Sequence, residues 1–160
     1  MVKSKIRNPK SKIRQDISST GINSVLRVLD ANINRAREGL RVCEDLVRFC
    51  LGFPSQFRQI RLLRRALDRA LARLPLAPDE LLRGRDSERD PGRRVSASSV
   101  RSVEQLLLIN LQRTKEALRV LEESCRLIAP RQVRAFQDLR FRTYDVERRL
   151  LIRLAALRHR

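Results

Sequence analysis

Asn32, Arg35 and Glu38 stand three residues apart, and 78 residues later Asn110, Arg113 and Glu116 repeat them. These types at this spacing suit the handling of an anion. A guanidinium offers a planar fork of donors that matches phosphate or carboxylate. A carboxamide presents both a donor and an acceptor to the edge of a polar ring. The duplication extends further, since 32–45 and 110–123 share Asn, Arg, Glu, Leu, Arg, Val and Glu at matching positions. Phe57 to Arg61 and Phe136 to Arg140 continue it. One helical hairpin used twice predicts a pseudo-twofold bundle.

Heptad bookkeeping places Val28, Asn32, Arg35, Gly39 and Val42 on one seam, with Leu106, Asn110, Arg113, Ala117 and Val120 as its repeat. A coiled coil expects apolar knobs at such positions, and a buried Arg is costly unless an anion meets it. Two readings stand side by side. The Asn residues set helix register while Glu38 or Glu116 neutralises each Arg, or the seams line a cleft in which Arg35 and Arg113 receive an anionic ligand. Arg41 and Arg119 fall toward the outer face, where Asp45 and Glu123 can pair with them at i,i+4.

The elements that must hold these residues follow from periodicity. Amphipathic stretches cover 22–50, 55–74, 99–128 and 131–157, broken by Gly52 with Pro54, Pro75 with Pro78, and Pro130. The expectation is an all-α four-helix bundle of two antiparallel hairpins in a single domain over 22–157, preceded by a basic, flexible arm over 1–21. Residues 76–98 form a long connection, either a solvated linker or a functional loop.

Composition narrows the function classes. The 160 residues carry 36 Lys+Arg against 18 Asp+Glu, a formal charge of +18, but residues 1–15 hold six basic groups and no acid, so the total does not by itself imply nucleic-acid binding. No apolar run approaches the roughly 20 residues of a membrane span. Three cysteines argue against a secreted disulfide scaffold and, with a cytoplasmic location expected, read as small core residues. The single histidine, His159, leaves no His-dependent triad, and no Gly-rich phosphate loop occurs.

The segment Leu29 to Val42, then Arg85-Asp86-Ser87 with Asp90-Pro91-Gly92, then Asn110 to Glu123, then Phe136 to Tyr144, resembles the second, all-helical type of hydroxymethylpyrimidine-phosphate kinase, a domain often fused ahead of thiamine-phosphate synthase. The likeness covers about 25–150. Pro91 stands where that family usually has Val, and Arg65 where it usually has His. The resemblance implies transfer of the ATP γ-phosphoryl group to hydroxymethylpyrimidine phosphate with Mg²⁺ as cofactor, the partners being ATP and the phosphorylated pyrimidine, with room for a homo-oligomer. It implies phosphate binding by Arg35, Arg113 and Arg85, ligand contacts from Asn32, Asn110, Arg41, Arg119 and Arg140, and metal binding by Asp86, Asp90, Glu38 and Glu116. The loop 83–94 would close over the phosphates. The alternatives are a basic helical nucleic-acid-binding module or a non-catalytic ligand-binding domain.

Overall fold

The computed structural model describes residues 19–158 except 84, 86–87, 89 and 95–98. Most of the expected arm, together with Asp86 and His159, lies outside the described residues. The rest is all-α: α1 (Ser19–Asp45), α2 (Pro54–Leu71), α3 (Pro78–Arg83), α4 (Val103–Ile128) and α5 (Val133–Arg158). Three differences from the periodicity matter. The first helix begins at Ser19, inside the expected arm, and its last turn, Leu46–Cys50, is wound as a π-helix. The connection after α2 contains α3 and a 3₁₀ turn over Pro91–Arg94.

Local chemistry explains the boundaries. Gly52 takes φ 62, a left-handed conformation that glycine adopts without a Cβ clash, and Pro54 opens α2 where its missing N–H costs nothing. Ser102 caps α4 by accepting from the Gln105 amide at 3.0 Å, and the Gln105 side chain accepts from the Arg101 amide at 2.8 Å.

The helices pack in the cyclic order α1, α2, α5, α4. Leu29, Leu40, Ile60, Leu67, Leu107, Leu118, Leu121, Phe136 and Leu150 fill the middle and are fully buried. Each contributes roughly 1.5–3 kcal/mol of apolar burial. α1 and α4 run antiparallel, because the Cys43 thiol donates to the Leu107 carbonyl (3.7 Å) while Gly39 sits against Asn110 and Thr114. The two helices therefore cross near Ala36 and Thr114, which the 78-residue repeat makes equivalent. The duplicated hairpin thus has its pseudo-dyad at this crossing.

Phe49, Phe141 and Tyr144 are exposed. One further placement differs from the sequence reading. Cys43 and Cys125 are core residues as expected, but Cys50 is exposed.

Candidate functional site

Asn32 and Asn110 are buried, and each Nδ2 donates to its own helix, to the Val28 and Leu106 carbonyls at 2.8 Å. The repeat is therefore reproduced down to a single bond. Arg35 and Arg113 do not share that burial. Both are exposed, which corrects the expectation of inward-pointing guanidinium groups. Arg35 lies one turn before Gly39, on the side of α1 that meets α4, and Arg113 occupies the mirrored place. The inner side of the α1/α4 pair is closed by α2 and α5. Two exposed side chains beside the crossing must therefore flank its outer side. Among the described residues neither makes an ion pair or hydrogen bond, so Glu38 and Glu116 do not neutralise them.

The other expected arginines are engaged. Arg41 pairs with Asp45 (3.1 Å), and Arg119 with both Glu122 (2.8 Å) and Glu123 (2.7 Å), so the anticipated i,i+4 pairs are present. Arg140 reaches the buried Glu122 at 3.0 Å and lies against the rings of Phe141 and Tyr144. Arg85 grips Asp30 through two bonds. Hydrogen bonding to Asp30 raises the proton affinity of Arg85, and Glu122 does the same to Arg140.

A groove of ≈ 430 Å³ opens between α1 and α2, lined by Arg37, Glu38, Arg41, Val42, Arg64 and Asp68. Arg37 pairs with Asp68 (3.1 Å), and Arg64 with the buried Glu44 (2.6 Å), whose hydrogen bond raises the Arg64 proton affinity. Glu38 has no ion-pair partner among the described residues. Its repeat, Glu116, accepts from Gln112 at 2.7 Å. Asp90 accepts from the Gly92 amide at 2.8 Å within its own turn, and Asp86 lies outside the described residues. Among the described residues no three His, Cys, Asp or Glu side chains converge as a complete metal cage requires.

The structure thus brings Asn32, Arg35, Asn110 and Arg113 to one seam, and Glu38 and Arg41 to the neighbouring groove. It sets Arg85 apart on Asp30, and Arg119 and Arg140 apart on Glu122. Sequence reasoning missed Arg37, Arg64, Asp68 and Asp30. The repeat held a signal for two of them. Arg37 and Lys115 are equivalent at the 78-residue offset, and Asp68 and Glu147 at the 79-residue offset of Phe57 and Phe136.

The ThiD2 family model matches residues 27–149. Over 131 residues the chain is 40% identical to the thiamine-phosphate synthase of Synechocystis sp., covering 80% of this chain and 36% of that protein. It is 38% identical over 126 residues to the thiamine-phosphate synthase of Gloeobacter violaceus, covering 77% of this chain and 35% of the relative. A third, from Nostoc sp., is 37% identical over 130 residues, or 79% and 35% of the two chains. The chain spans about one third of the length of these relatives. No solved structure matches it. Because the family match runs across both hairpins and the loop between them, the chain belongs to the ThiD2 family.

Proposed function

We propose that this domain transfers the γ-phosphoryl group of ATP to hydroxymethylpyrimidine phosphate, forming the diphosphate and ADP, as a step of thiamine biosynthesis. An oxygen of the phosphomonoester forms the new P–O bond while the bond from the γ-phosphorus to the β–γ bridging oxygen breaks, and ADP leaves with that electron pair. The acceptor oxygen is largely ionised near neutral pH, so no strong general base is needed. The work lies in bringing one polyanion to another, which guanidinium forks do by positioning and charge neutralisation.

One observation carries the reading. Arg35 and Arg113, mirrored about the helix crossing beside the buried Asn32 and Asn110, keep their cations free among the described residues, as Arg65, Arg69, Arg142 and Arg148 do on α2 and α5, while Arg37, Arg41, Arg64, Arg85, Arg119 and Arg140 are committed to acids. A free guanidinium can bind phosphate without first breaking an ion pair. Magnesium arriving with phosphates needs at most one or two protein carboxylates, and the unpartnered Glu38 suits that role. When bound, it would neutralise developing charge on the phosphates.

An ADP-release assay with hydroxymethylpyrimidine phosphate tests the reading. Arg35→Ala and Arg113→Ala should each lower kcat/KM by roughly 10²-fold or more with helicity unchanged. Wild-type kinetics in both variants would reject it.

Charge distribution favours the second reading, a nucleic-acid-binding module, on a different surface. α1 and α4 each balance four basic with four acidic side chains, whereas α2 carries five Arg against Asp68 and α5 seven Arg against three acids. Steeply salt-dependent binding of random oligonucleotides, with no turnover of the pyrimidine phosphate, would favour it.

A further inference from the structure

We propose that the α1/α2 groove seats the phosphorylated pyrimidine, and that its repeat-related counterpart between α4 and α5 is sealed, so each chain has one such site. This rests on the kinase reading and adds to it which half of the duplicated hairpin takes the acceptor.

The groove lies within the roughly 300–1,000 Å³ of small-molecule sites. Its lining offers three guanidinium groups, two carboxylates and the apolar side chain of Val42. Arg37 and Asp68 form a half-exposed pair, with side chains 49% and 47% accessible. Such a pair is weakly held, and Arg37 can exchange Asp68 for a phosphate at little cost. Arg41 is more exposed still and holds a single acid. Val42 and the Arg64 stem give a ring an apolar surface to lie over. Glu38 and Val42 also stand one and two turns along α1 from Arg35, on the same side. The groove therefore opens beside the seam that holds Arg35 and Arg113.

The mirror site has the same ancestry and the opposite character. Lys115 replaces Arg37, Glu147 replaces Asp68 and Tyr144 replaces Arg65. The Lys115 ammonium bonds both Glu147 oxygens at 2.6 and 2.7 Å, and the side chains are only 9% and 17% accessible. The Tyr144 ring covers that ammonium at 5.0 Å. Thr143, at the place of Arg64, is buried and bonded to the Leu139 carbonyl at 2.8 Å. Breaking a buried pair is expensive, and Arg119, at the place of Arg41, is held by both Glu122 and Glu123, so neither repeat-related cation is as readily released as Arg37.

Calorimetric titration of the full chain with hydroxymethylpyrimidine phosphate, without ATP, tests the assignment. The expected result is one molecule per chain, a Kd raised at least tenfold in Arg37→Gln, and a Kd within twofold of wild type in Lys115→Met/Glu147→Met. Tyr144→Ala, which removes the cover from the mirror site, should also bind as wild type and serves should the double variant fail to fold. Two molecules per chain, wild-type affinity in Arg37→Gln, or lost affinity in a folded Tyr144→Ala would overturn the proposal. Turnover that survives an unaffected Arg37→Gln sinks the groove and leaves the kinase reading standing. Arg37-dependent binding without any ATP turnover does the reverse.

Discussion

Arg85 holds Asp30 with both Nε and Nη2, at 2.8 and 2.7 Å, and so ties the connection between the two hairpins to the first half of α1. Asp30 is buried while Arg85 is exposed, so the loop is clamped from below. Removing the charge at position 30 should release the clamp without opening the core. Asp30→Asn is expected to speed tryptic cleavage after Arg83 and Arg85 severalfold, with cleavage inside α1 and α4 unchanged, as followed by mass spectrometry of timed digests.

Gly39 permits the closest approach between α1 and α4. A Cβ there would meet the Thr114 hydroxyl and stand 2.9 Å from the Asn110 carbonyl, part of the α4 backbone. Gly39→Ala should therefore destabilise by about 2 kcal/mol despite the gain in helix propensity. That corresponds to a fall in Tm of roughly 4–8 °C for a chain of this size, read by thermal circular dichroism. Ala117, the repeat-related position, already carries the methyl group, so a like effect is not expected there.

Two sets of arginines should separate experimentally. Arg140, with its side chain 13% accessible, shares the buried Glu122 with Arg119, so Arg140→Ala leaves a buried carboxylate less well matched. It should lower Tm by several degrees, for a cost of roughly 2 kcal/mol. Arg35→Ala and Arg113→Ala break no pair and should leave Tm within a degree while lowering kcat/KM by roughly 10²-fold or more. Paired measurements of Tm and ADP release on the three variants check this division.

Burial pushes the thiols of Cys43 and Cys125 up to about 12, from an ordinary value of 9.0. At pH 8 both stay protonated and unreactive, because the thiolate is the nucleophile. A disulfide exchange reagent should modify one thiol in the native chain, the exposed Cys50, and three in denaturant. Linkage has a definite sign here. These raised values add stability that is complete below pH 9 and lost as pH rises from 9.0 toward about 12, since the unfolded chain releases those protons first. A urea midpoint that falls across that alkaline window would match.

By itself the sequence determined the helices, the duplicated hairpin and the list of polar residues worth attention. Apolar spacing, Gly52, Pro54 and Pro130 are local, and each acts on its own few neighbours. The repeat likewise implied that whatever Asn32 does, Asn110 would do. Only the tertiary structure decided which cations remain free. Successive helical residues point about 100° apart, so Arg35 swings to the outer rim while Asn32 and Ala36 go under. Ion-pair partners such as Asp30 for Arg85 or Glu44 for Arg64 come from other elements, and chain order does not say which helices become neighbours. The two halves also look alike in sequence but differ in exposure, because a single ring at position 144 covers on one side what Arg65 leaves open on the other.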